Sequence, residues 1–155
     1  MLFRSAVLAG DAQGRNTYEA ELWLQATSQG LDNKVVIAGH VTDMPAAYLA
    51  ADIVVSASTD PEAFGRVAAE AGAMERPVIA TNHGGAREVI VPGVSGLLVP
   101  PGDAAALAEA LAKFLAADTA ERAAMGRAAR AHIAARYTVE RMCADTLALY
   151  RGLLA

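Results

Sequence analysis

One cysteine, Cys143, is present in 155 residues, so no disulfide can form within the chain. A reducing compartment, the cytoplasm, is the expected setting. Cys143 falls in a helical pattern and reads as a buried structural thiol. No apolar run reaches 18 residues, so no membrane-spanning helix is expected and membrane association is not indicated. The opening Met1 to Asp11 is too short and too soon polar for a signal peptide. A basic block is also lacking: the net charge is -4, and most arginines are scattered over the C-terminal helices. A nucleic-acid surface, which needs clustered Lys and Arg, is therefore excluded. The three histidines, His40, His83 and His132, have no metal-ligand spacing, so no metal is expected. His132 reads as a solvated helix residue. No Gly-x-Ser-x-Gly and no Cys–His pairing offers a nucleophile. Aromatics make up only 5% of a chain that is 54% hydrophobic; much of the apolar content is alanine, which favours helix.

What is present is an alternation. The length suits one domain, 1–155, able to bury roughly 70% of the surface its unfolded chain exposes. Leu2–Ala9, Val35–Ala38, Asp52–Ser56, Pro77–Ala80 and a short run within Gly93–Val99 read as strands. Their continuous apolar character suits parallel strands covered on both faces. Between them, Asn16–Gln29, Asp43–Ala51, a stretch ending near Met74 and Ala86–Val91 read as helices. Leu22 and Trp23 are expected anchors of the first of these, and Gly30 its C-cap. Asp103 caps a helix reaching Leu115. Asp118 precedes Glu121 by three, a capping-box spacing for the next helix. Thr138 opens the last, in which Met142, Leu147, Leu149 and Tyr150 are apolar. The pattern is α/β: a Rossmann-like parallel sheet flanked by helices, with a helical C-terminus. Ligands in such folds bind at the carboxyl ends of the strands. Here those ends are Gly39-His40-Val41, Ser58–Val67 and Thr81–Gly85.

The second of these segments carries the chemistry. Asp60-Pro61-Glu62-Ala63-Phe64-Gly65-Arg66-Val67-Ala68-Ala69-Glu70 places one carboxylate in a loop and another inside the following helix. A carboxylate offers two acceptor oxygens and matches a vicinal diol. Gly65 lets the backbone approach a ligand closely, and the free amides of Gly65, Arg66 and Val67 open the helix where an anionic phosphate is favoured. Gly84-Gly85, before another short helix, offers a second cradle of the same kind. Two carboxylates also occur in glycoside hydrolases; the Gly-Gly loop and the strand context favour a nucleotide sugar. His40 and Arg66 each read equally as plain surface residues or as ligand contacts; His83 reads rather as a loop residue than as a donor contact.

Glu62 to Glu88 closely resembles the retaining glycosyltransferases of group 1 (family 4, GT-B fold). The resemblance extends through Asp52-Ile53-Val54-Val55, Gly93–Pro100, Gly102-Asp103 and the Tyr137–Tyr150 helix, nearly the whole chain. It implies a donor site for a nucleoside diphosphate sugar, with no further cofactor. Glu70 would hold the ribose hydroxyls. Glu62, the candidate catalytic residue, would contact the transferred sugar, helped by the amides of Ala63, Phe64 and Gly65. The amides of Arg66 and Val67 would take the proximal phosphate. The base would lie against His40 and Val41, and Gly84 would complete the donor contacts.

The resemblance also implies something missing. The family's C-terminal domain normally begins with one more strand and a Gly-rich loop bearing an Arg and a Lys. The chain is thus expected to be a truncated C-terminal half of a GT-B enzyme, inactive alone, its partner an absent N-terminal domain. Loss of a central strand should leave a gap, an unpaired edge or self-association into a homo-oligomer. The other class left open is a non-catalytic nucleotide-binding or protein-interaction module.

Overall fold

The computed structural model describes residues 5–12, 14 and 16–154. Its elements alternate as the pattern requires: β1 (Ala6–Ala9), α1 (Asn16–Ser28), β2 (Val35–Gly39), α2 (Met44–Ala50), β3 (Val54–Ser56), α3 (Arg66–Ala73), β4 (Val78–Thr81), α4 (Ala86–Val89), β5 (Gly96–Val99), α5 (Ala104–Ala116), α6 (Thr119–Arg136) and α7 (Val139–Leu154). The part of the expected first strand before Ser5 lies outside the described residues. Contacts divide the chain into two compact units, residues 1–47 and 48–155.

In the first unit β1 and β2 run parallel, with Ala6 opposite Val35 and Leu8 opposite Ile37. Between them α1 ends at Gly30, which takes a left-handed φ of 67°; the Leu31 amide then closes back on the Ala26 carbonyl at 2.9 Å. The anchor of α1 is Ala26, which is buried, and not Trp23, which is 38% exposed; Leu22 is half-buried. Asp43 caps α2, accepting from the Ala46 amide at 3.0 Å.

The second unit holds the core. Strands β3, β4 and β5 form a parallel ladder with β4 central, in register Val54–Val78–Gly96. All four residues of β4 are buried, the continuous apolar strand expected when both faces are covered. Ile79 packs with Val99, Ala110 and Phe114, so α5 closes one face. The buried side of α3 consists of Ala68, Ala69, Ala71 and Gly72. Such small side chains let a helix axis lie close to its neighbours. A Cβ on Gly72 would meet Ile133 of α6 at 3.3 Å. Asp118 and Glu121 form the capping box that the spacing predicts: the Glu121 amide donates to Asp118 Oδ1 at 2.8 Å and the Asp118 amide to Glu121 Oε2 at 3.0 Å.

The parallel direction of the strands is as expected, but they form two ladders. β1 bonds only to β2, and β3 only to β4, so among the described residues β1 and β3 each have one edge without a strand partner. Two sequence expectations fail in the C-terminal helices. Cys143 is exposed, because α7 buries none of its residues. Met142, Leu147, Leu149 and Tyr150 are likewise exposed. His132 is half-buried, its Nε2 enclosed without a hydrogen-bond partner among the described residues, and its ring is tilted against that of Tyr137 with centroids 5.9 Å apart.

The capping box yields a direct test. Asp118→Ala should lower stability by about 1 kcal/mol, measured as a lower urea midpoint with an unchanged slope.

Candidate functional site

Glu62, Ala63, Phe64 and Gly65 form the loop that carries the chain from β3 into α3. Gly65 is the N-cap of α3, at φ 79° and ψ 49°, and no side chain caps the helix. The first-turn amides of Arg66, Val67 and Ala68 therefore have no acceptor within the helix and no capping oxygen over them. A positive φ there suits glycine. Space demands it too, since a Cβ on Gly65 would sit 2.9 Å from the Ala86 nitrogen.

Glu62 is half-buried. Its Oε1 accepts from the Ser58 hydroxyl at 2.6 Å, so the carboxylate is fixed from the strand side. Ser58 is itself held: its carbonyl accepts from Thr81 Oγ1 at 2.8 Å and from His83 Nε2 at 2.8 Å. A carbonyl only accepts, so the proton of neutral His83 sits on Nε2. His83 is thus a brace between loops.

Gly84 and Gly85 do not form an open anion cradle. Their backbone is pressed against the glutamate loop, and the Gly85 amide donates to the Glu62 carbonyl at 2.9 Å. A Cβ on Gly84 would lie 2.2 Å from the Glu62 oxygen, and one on Gly85 2.3 Å from the Phe64 carbonyl. The pair is small because two backbones meet there, a reason that the local sequence does not display.

Glu70 stands on the next turns of α3 with 39% of its side chain exposed. Both its oxygens are engaged. Oε1 accepts from Arg66, at 3.2 Å from Nε and 2.9 Å from Nη2; Oε2 accepts from the Tyr48 hydroxyl at 3.0 Å. Arg66 is four residues earlier on the same helix and 81% exposed, so its charge faces solvent at the helix opening. Sequence reading missed Tyr48, which lies 22 residues away on α2 and belongs to no local motif. Burial, then the hydrogen bond and the negative charge of Glu70, push its phenol up to about 12.

His40 and Val41 belong to the first unit. His40 lies at the end of β2, its ring 70% exposed and its Nδ1 4.0 Å from an oxygen of Asp11; Val41 is half-buried. Phe64 is 45% exposed and meets Tyr137 edge to face at 5.6 Å. The Tyr137 hydroxyl donates to the Glu88 carbonyl at 2.7 Å, so the C-cap residue of α6 touches both the glutamate loop and α4. A separate shallow cleft, lined by Thr59, Thr81, Val99 and Asp103, contains neither glutamate.

Two measurements follow from this geometry. Gly85→Ala should cost about 1–3 kcal/mol, because backbone atoms cannot yield as a side chain can; thermal unfolding reads it. Tyr48 is an acid whose folded-state value is raised from 10 to about 12. The stability it contributes is complete below pH 10 and is lost as pH rises through 12. Tyr48→Phe should therefore flatten the alkaline fall in melting temperature between those two values.

Known proteins resemble the chain over most of its length. The family model described as glycosyl transferases group 1 matches residues 5–132. A D-inositol 3-phosphate glycosyltransferase of Corynebacterium urealyticum is 44% identical over 106 residues, covering 68% of this chain and 24% of that protein. The lipopolysaccharide core biosynthesis mannosyltransferase LpcC of Rhizobium leguminosarum is 31% identical over 151 residues, covering 97% of this chain and 42% of its own. The crystal structure of Anabaena Alr3699/HepE in complex with UDP-glucose superposes with a TM-score of 0.86 at 38% identity, covering 93% of this chain and 40% of that one. The chain thus spans less than half the length of each. With the glutamate loop, the uncapped start of α3 and the parallel strands behind them all inside the matched region, the chain belongs to the group 1 glycosyltransferases, and its fold is that of one Rossmann-like half of the GT-B architecture.

Proposed function

We propose that residues 1–155 form the donor-binding domain, a C-terminal half, of a retaining family 4 glycosyltransferase that transfers a sugar from a nucleoside diphosphate sugar to an acceptor. The observation that carries this reading is the uncapped N-terminus of α3 with a carboxylate on either side of it. Glu62 precedes the open amides and is held by Ser58. Glu70 follows them on the helix and is held by Tyr48 and Arg66.

The roles follow the order of groups along such a donor. Glu70 accepts from the ribose hydroxyls. The amides of Arg66 and Val67 take the proximal phosphate, where the partial positive charge of a helix start favours an anion. Glu62 and the amides of Ala63, Phe64 and Gly65 address the transferred sugar. Gly84 completes the wall beside it. When the glycosidic bond breaks, negative charge grows on the departing diphosphate. Fixed donors at the helix start stabilise that charge without having to reorganise, which is where an electrostatic contribution to rate is largest. No metal ion is needed in this scheme. A companion domain supplies the acceptor, and the 155-residue chain alone does not turn over. HepE, bound to UDP-glucose and 38% identical, supports UDP as the first nucleotide to test. No helix among the described residues is long and apolar enough to cross a membrane, and the cytoplasm is the proposed site of action.

Calorimetric titration with UDP, GDP and ADP tests the reading. One of them should bind, and Glu70→Gln should weaken it roughly 10-fold or more, as expected when a hydrogen bond to a charged group worth about 1.5–3 kcal/mol is impaired. Absence of binding by all three, or binding indifferent to Glu70→Gln, would overturn it.

A further inference from the structure

The carboxylate of Glu70 has two unlike partners. On Oε1 sits Arg66, charged, four residues away on the same helix and 81% exposed. On Oε2 sits the hydroxyl of Tyr48, neutral, brought in from a separate helix, with the residue only 5% exposed. An exposed ion pair within one helix is screened by salt and holds a side chain weakly. A hydrogen bond from a buried phenol is not screened in this way, and its donor cannot swing into solvent. Tyr48 therefore holds the carboxylate more firmly than the exposed Arg66 does.

Three side-chain torsions separate a glutamate carboxylate from its backbone. Left alone on a helix surface it would sample several rotamers and lose that freedom on binding. With Oε2 tied to Tyr48, one rotamer and one carboxylate plane are selected beforehand. Each oxygen has acceptor capacity for more than one hydrogen bond, so the bond from Tyr48 leaves room for a diol to donate to both oxygens. A phenol pushed up to about 12 stays protonated, and so remains a donor, throughout the ordinary pH range.

We propose that Tyr48 is a positioning residue for donor recognition: by tying down Oε2 of Glu70 it orients that carboxylate for the ribose diol, and so sets the preference for ribonucleotides over 2′-deoxyribonucleotides. Tyr48 acts through Glu70 and touches no ligand itself. The inference rests on the donor-binding reading given above.

The test measures dissociation constants of UDP and GDP beside those of their 2′-deoxy counterparts, for the 155-residue chain and for Tyr48→Phe, Glu70→Gln and the double variant. Thermal unfolding run alongside confirms that each is folded. The wild-type chain should prefer the ribonucleotide. Tyr48→Phe should narrow that preference about 3–10-fold, the effect of one net hydrogen bond, because the deoxy ligand keeps only its 3′-hydroxyl for Glu70 and weakens less. In the Glu70→Gln background the same replacement should have no further effect on the ratio. A purely structural Tyr48 would weaken both ligands equally and leave the ratio intact; that result overturns the inference while the donor reading stands. If the wild-type chain binds none of the four ligands, the donor reading is overturned and the inference falls with it.

Discussion

The site depends on one close approach: the backbone of Gly84-Gly85 lies against the backbone of Glu62–Phe64 with no room for a side chain between them. The two loops leave neighbouring strands, β3 and β4, and would otherwise be independent excursions into solvent. Three hydrogen bonds hold them together. The Gly85 amide donates to the Glu62 carbonyl, and Thr81 and His83 both donate to the Ser58 carbonyl. Position is then inherited in sequence. Ser58 is fixed, its hydroxyl fixes Glu62, and the loop delivers Gly65 as the only residue able to begin α3 in that space. The orientation of α3, and with it the direction of its open amides, is a consequence of two missing side chains on another loop.

Support reaches the same loops from the far end of the chain. Tyr137, at the junction of α6 and α7, touches Phe64 with its ring and the Glu88 carbonyl with its hydroxyl. One aromatic residue thus contacts the glutamate loop and the short helix behind the glycine pair. Both contacts fall on backbone or on an apolar ring, so they constrain shape without competing for the carboxylates.

Much of this was legible in the sequence, and the part that was not has a common cause. The alternation of elements, the Asp118–Glu121 box, the Asp103 cap and the glutamate segment are local patterns, and each lies where the pattern put it. Features that depend on contacts between distant residues were misread or missed. Gly84-Gly85 looks like an anion cradle because small residues before a helix fit that motif; only the opposing loop reveals close packing. Nothing near Tyr48 marks it as the partner of Glu70. A helical pattern places Cys143 and His132 on helices but does not say whether anything covers them. Cys143 proved exposed and His132 enclosed for that reason.

The alanine-rich, aromatic-poor composition acquires a purpose in this light. A helix N-terminus helps bind an anion only if it is held still, because partial charges that drift give up the electrostatic gain to reorganisation. Short side chains on the buried side of α3, Ala68, Ala69, Ala71 and Gly72, allow its backbone to sit close to the sheet and to α6. They also have few or no torsions to freeze, so close packing here costs little conformational entropy. Larger core residues would have filled the same space from further away and carried the helix start with them. The small residues of α3 and the glycines of the two loops therefore answer one requirement: backbone must be placed against backbone so that a row of amides, and the carboxylates on either side of it, are held in fixed positions.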